Sequence, residues 1–164
     1  MLIPNDKITF KPIGVISTPF KTKEGMPIQP IGAIGVEGKI EISHEYEQAL
    51  DDLDGFSHII LLFYFHQTKE TKLKVVPFLD DKLHGVFSTR APSRPNPIGL
   101  SVVKLIRREK NILFIENVDM ISGTPLIDIK PYIPEVDNID AKKIGWLEGK
   151  KNRFEKQLSD KRNF

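Results

Sequence analysis

The 164-residue chain has no cysteine, which excludes a disulfide framework and any thiolate metal site. Its longest apolar run, residues 59–65, is too short to cross a bilayer, and no signal-peptide pattern is visible, so a cytoplasmic protein is expected. A strong charge of one sign is also missing. The net charge is +2, so any attraction for a polyanion has to come from local patches rather than from the overall field. Neither a G-x-S-x-G elbow nor a phosphate-cradling G-x-x-x-x-G-K-[ST] loop occurs. Glycines stand at 32, 35 and 38, but their spacing is not that of a dinucleotide fingerprint, and residues 39–42 continue as a strand rather than a helix. The four histidines, 44, 58, 66 and 84, have no metal-ligand spacing, so no metal is expected.

What the chain does contain is concentrated in residues 84–101, HGVFSTRAPSRPNPIGLS. Prolines 92, 95 and 97 remove backbone donors and disfavour the helical basin for Ala91, Arg94 and Asn96, which predicts a stiff, extended loop. The span from Lys82 to Arg108 holds six Lys and Arg and no acid. A guanidinium on a stiff loop can hold a carboxylate or phosphate in a two-toothed geometry at low ordering cost. Two readings are open: an anion-docking rim built on Arg90 and Arg94, or a proline-rich surface turn whose arginines face water.

Residues 8–17 read as a strand with Pro12 at an edge, and 18–30 as a loop ending on Gln29, an amide able to read donors or acceptors. Ser43 is a plausible N-cap for a helix over 44–53, with Tyr46, Ala49, Leu50 and Leu53 on one face. Residues 57–67, SHIILLFYFHQ, are apolar without alternation, as in a strand covered on both faces inside a domain or against another subunit. Residues 73–78 and 98–106 read as strands, and 112–117 closes a hairpin after Arg107-Arg108, a pair suited to guarding a sheet edge or to meeting RNA. In 119–132, DMISGTPLIDIKPY, a turn at 122–125 precedes a strand that places Leu126, Asp128 and Lys130 on one face and Ile127 and Ile129 on the other. Asp128 and Lys130 read either as a surface ion pair or, if that face lines a cavity, as desolvated working groups.

From residue 140 the chain carries eight Lys and Arg against four acids, with Ile144, Leu147, Phe154 and Leu158 at spacings of a broken amphipathic helix. The expected architecture is mainly β: a single-sheeted antiparallel barrel over 1–136 with one short helix, then a basic helical extension over 137–164.

Four motifs in order, PFKTKEGMPIQP, GFSHIILLFYFHQ, GVFSTRAPSRPNPIGLS and GTPLIDIKPYIP, resemble the TsaA-like family of tRNA methyltransferases over about residues 8–134. The resemblance implies a β-barrel homodimer that binds S-adenosylmethionine beside its interface. It implies methylation of N6 of threonylcarbamoyl-adenosine next to the anticodon of threonine-decoding tRNA. By the same resemblance Gln29, His66, Gln67, Arg90, Gly99, Leu100, Gly123, Thr124 and Pro125 contact the cofactor. Asp128, Lys130 and Tyr132 face the transferred methyl and the base, while Arg94, Arg107, Arg108 and the tail lysines meet tRNA phosphates. Two positions depart from the family pattern: Ile28 stands where arginine is usual and Ser122 where aspartate is usual. A reading from another class stays open, a sensor or carrier that binds S-adenosylmethionine without methylating RNA.

Overall fold

A computed structural model describes residues 7–150 and 153–162. Six strands close an antiparallel barrel: β1 (Gly14–Ser17), β2 (Glu37–Ile42), β3 (His58–Tyr64), β6 (Ile98–Glu109), β7 (Ile112–Glu116) and β8 (Thr124–Pro131). Around the barrel the order is β1-β2-β7-β6-β3-β8, and β8 pairs back to β1. Two short strands, β4 (Lys74–Val75) and β5 (His84–Gly85), make a separate ribbon in the excursion between β3 and β6.

The interior is filled from alternate positions of each strand. Ile16, Ile40, Ile59, Leu61, Val103, Leu113, Ile115 and Leu126 are all completely buried, and each contributes about 1.5–3 kcal/mol by leaving water. The strand over 57–67 does alternate in three dimensions: Ile59, Leu61 and Phe63 face the core, while Ile60 and Leu62 are half-buried on the outside. Gly99 lies opposite Phe63, and a Cβ built on it would stand 2.2 Å from the Phe63 ring. The absent side chain makes room for that ring at the end of the core.

Several elements differ from the sequence expectation. The first strand is only four residues long: its ladder begins with Gly14 opposite Ile42 and Leu126, and Ile13 adds single bonds to Leu126 O (2.8 Å) and from Ser43 N (2.9 Å). The expected helix over 44–53 is a 3₁₀ helix, His44–Leu50, with no side-chain bond from Ser43; a second 3₁₀ turn, Leu53–Gly55, follows Asp52 at φ +65°. Of the residues expected on the inner face of the 44–53 helix, Leu50 is buried and Tyr46 half-buried, while Ala49 is exposed. The strand over 73–78 shrinks to Lys74–Val75.

The face assignment of β8 also changes. A bulge at Ile127 lets Leu126 pair with Phe63 while Asp128 pairs with Leu62. Each side of the bulge keeps its own alternation, so Leu126 and Ile129 both pack inward and Asp128 and Lys130 point out. Among the described residues, the segment after β8 holds a one-turn helix, Pro134–Asp137, a 3₁₀ turn, Gly145–Leu147, and a lone bridge from Leu158 to Pro27 in place of the expected long helix.

Candidate functional site

One mouth of the barrel collects the end of β1, the end of β3, the start of β6 and the start of β8. The proline-bearing loop lies over it. That loop is stiff by construction: tight turns bond Arg94 N to Pro92 O (2.7 Å) and Ile98 N to Asn96 O (2.8 Å). Arg94 braces it from within, donating to the carbonyls of Val86 (3.2 Å), Thr89 (2.8 Å) and Ala91 (3.4 Å). Arg94 is therefore a loop organiser, and its guanidinium also lies 5.7 Å from the Phe87 ring.

Arg90, by contrast, is exposed and donates to Gln29 Oε1 at 2.6 Å, joining loops 61 positions apart. The Gln29 amide is oriented by its own donation to Ile28 O (2.7 Å). Across the mouth, His66 Nδ1 lies 3.4 Å from the Thr124 hydroxyl, which donates to Ile121 O at 2.6 Å. Gly123 holds φ +85° in the turn that delivers Thr124, a left-handed conformation suited to glycine. Gln67 follows His66 and is exposed. Leu100 points outward and is 50% exposed, away from the interior position of Gly99.

The sequence did not single out Asp119. It sits between the buried Val118 and Met120, accepts a 2.7 Å hydrogen bond from the inward-facing Ser101 hydroxyl, and feels the charge of Arg90. Its withdrawal from water raises its pKa to about 6 from 3.8, against the lowering pull of Ser101 and Arg90. As pH rises from about 4 to 6 the unfolded chain loses this proton first, so the folded state binds more protons over that window. Stability then falls with rising pH and levels off above 6. Discounted for partial exposure, the loss is about 1–2 kcal/mol. Urea melts across pH 4–8 are expected to show this fall in the wild type relative to Asp119→Asn.

Asp128, Lys130 and Tyr132 lie elsewhere in the chain. Asp128 and Lys130 form a 2.8 Å ion pair on the outer face, with side chains 41% and 60% exposed. At about 3.3 Å per residue they run roughly 13 and 20 Å along β8 from Thr124. Tyr132 is further still, its backbone N–H bonded to His58 O and its ring edge-on to the His58 ring. These three share no rim with Arg90 within one chain.

Arg107 and Arg108 stand at the other end of β6. A bulge before Arg107 turns it over the Phe114 ring, 3.3 Å from the centroid, with Glu109 at 3.3 Å. Arg108 closes the far mouth, reaching Lys110 O (2.8 Å), Asp51 Oδ1 (3.1 Å) and Glu47 O (3.3 Å). Arg108→Ala is expected to cost about 1–3 kcal/mol of stability, read by denaturant unfolding, and to leave nucleic-acid affinity unchanged. Among the described residues no group of three or more His, Asp or Glu is set to hold a metal, and no helix is long and apolar enough to cross a membrane.

Fold and mouth together make a small closed antiparallel barrel that carries a cation, Arg90, and a partly buried carboxyl, Asp119, at one end. The model of the tRNA-methyltransferase O N-terminal domain matches residues 15–138, and the chain belongs to that family. A probable S-adenosyl-L-methionine-binding protein of Pyrococcus abyssi is 49% identical over 157 residues, 96% of this chain and 85% of that one. The tRNA (adenine(37)-N6)-methyltransferase of Escherichia coli is 39% identical over 140 residues, 79% of this chain and 60% of that enzyme. The crystal structure of TrmO from Pseudomonas aeruginosa superimposes with a TM-score of 0.73 at 36% identity, covering 86% of this chain and 63% of that one. The chain thus spans most of the archaeal relative but under two thirds of these two bacterial proteins.

Proposed function

We propose that the chain is an S-adenosylmethionine-dependent methyltransferase acting on N6 of the adenine beside the anticodon of tRNA. Threonylcarbamoyl-adenosine in threonine-decoding tRNA is the acceptor, in the cytoplasm, and the working form is a homodimer. The observation that carries this reading is the junction of Arg90 and Gln29 beside the partly buried Asp119, in a barrel of the family just described.

The cofactor fits the donor set of the mouth. When bound, it supplies an electrophilic methyl on a sulfonium. Arg90 is suited to its carboxylate and Asp119 to its cationic groups, while Gln29, His66, Gln67 and the backbone of Gly99 and Gly123–Pro125 can read ribose and adenine. Asp119 has to be ionised for its part. At pH 5, with a pKa of about 6, roughly one molecule in eleven is ionised, so affinity is expected to fall about tenfold between pH 7.5 and pH 5. Asp119→Asn is expected to remove that pH dependence in titration calorimetry.

The outer face of β6, β3 and β8 supports the dimer. Ile98, Leu100 and Tyr64 are 37%, 50% and 42% exposed there, beside the half-buried Ile60 and Leu62. Pairing through this face would desolvate Asp128 and Lys130 and offer them, with Tyr132, to the partner's mouth. Asp128 or Tyr132 would then accept the proton from the urea-like acceptor nitrogen. Arg107, half-exposed, and the tail lysines would meet phosphates, so binding weakens steeply with salt.

The test is mass spectrometry of nucleosides after incubating the protein with S-adenosylmethionine and threonine tRNA carrying the carbamoyl modification. One methyl in place of one hydrogen on the modified adenosine is expected. Methylation of plain adenosine would overturn the carbamoyl substrate, and cofactor uptake with unchanged nucleosides would favour the sensor or carrier.

A further inference from the structure

We infer that the segment after the barrel is part of the cofactor site, with Trp146 a positioning residue that holds the Arg90 loop in its binding geometry. This rests on the reading of the mouth as the S-adenosylmethionine site. The Trp146 indole N–H donates to Ser88 O at 2.8 Å, two residues before Arg90. Its ring stacks on His84, 4.5 Å between centroids at 26°, and His84 Nε2 bonds Asp80 Oδ2 at 2.9 Å. Lys150 closes the cluster, pairing with the same Asp80 oxygen at 2.8 Å and lying 5.3 Å from the Trp146 ring. Lys150 and then His84 hold the Asp80 carboxyl well below the usual carboxylate range, so this carboxylate stays charged across the neutral range.

A second anchor binds the other loop of the mouth. Ser159 pairs through its backbone with Met26 (2.9 Å) and Gly25 (3.0 Å), its hydroxyl bonds Lys23 O, and Leu158 bridges Pro27, two residues before Gln29. One stretch of chain therefore fastens both loops whose tips, Gln29 and Arg90, meet at 2.6 Å. An arginine held in place beforehand does not pay its ordering cost on binding. By linkage, a ligand that needs this geometry must in turn tighten the contact that holds it.

Trp146 is the only tryptophan in the chain, so its emission reports on this contact without a label. The experiment titrates the full chain with S-adenosylmethionine, following Trp146 emission and acrylamide quenching beside calorimetry. An emission change and reduced quenching that saturate at the calorimetric Kd are expected. Trp146→Ala should weaken binding roughly five- to tenfold, as for a lost orienting hydrogen bond and stack, and Trp146→Phe, which keeps the stack, should recover part of it. Lys150→Gln, which leaves Trp146 in place, should weaken binding a few-fold and increase acrylamide quenching of the free protein. Wild-type binding with unmoved emission, together with unchanged affinity in Trp146→Ala or, if that variant does not fold, in Lys150→Gln, would overturn the inference while the cofactor reading stands. No calorimetric binding by the wild type would overturn that reading and the role of Trp146 with it.

Discussion

Arg90→Ala is expected to weaken S-adenosylmethionine binding by about 10- to 100-fold, the cost of losing a charge-assisted contact to a carboxylate. The guanidinium is exposed and its one hydrogen bond among the described residues goes to Gln29, so the barrel should lose little stability. Arg90→Lys should recover only part of the affinity, since an ammonium cannot reproduce the planar fork. A second signature accompanies the first. Arg90 lowers the pKa of Asp119, so its removal should move that carboxyl above about 6, visible as a shift in the pH dependence of stability. Calorimetry and pH-dependent melts on the same variant separate a lost ligand contact from a damaged fold.

Asp128→Asn is expected to cut methyl transfer to tRNA by about a hundred- to ten-thousand-fold, the usual range for a lost general base. Cofactor affinity should stay within a few-fold, because Asp128 is placed to take the acceptor's proton while Arg90 and Asp119 hold the cofactor. Its exposed pairing with Lys130 is worth little in an isolated chain, and only a partner that covers the outer face would desolvate it. The dimer gives this a sharp form. A heterodimer of one Arg90→Ala and one Asp128→Asn subunit keeps one intact mouth facing one intact Asp128, and should regain activity that neither parent has. If both residues acted within one chain, mixing would restore nothing. Single-turnover rates on purified heterodimers decide between the two.

The residues differ in how plainly they announced their places. Alternation and turn chemistry were enough to read the barrel, because inward positions such as Ile40, Leu113 and Ile115 obey a period of two wherever the ladder is regular. The face of Asp128 was not readable in advance. The bulge at Ile127 carries no glycine or proline to mark it, and one extra residue reverses everything beyond it. Stiffness of the loop over 84–101 followed from its prolines, but the inward turn of Arg94 follows from the three carbonyls the folded loop presents. Asp119 left a faint trace: a lone acid between two buried apolar residues just before a glycine turn. Its partners Ser101 and Arg90 come from distant sequence, and only the closed barrel brings them together. The tail misled by its helical spacing, since Trp146 and Ser159 find hydrogen bonds on the 88 and 26 loops that an isolated helix would not offer.

The most direct measurement is a crystal structure of the full chain with S-adenosylmethionine. Density for the ligand is expected at the mouth, its carboxylate within hydrogen-bond distance of Arg90 and its cationic side toward Asp119, with Asp128 of a second copy nearby. A ligand seated instead in the shallow groove outside β1 and β2, against Thr18, Lys39 and Phe114, with Arg90 untouched, would contradict it.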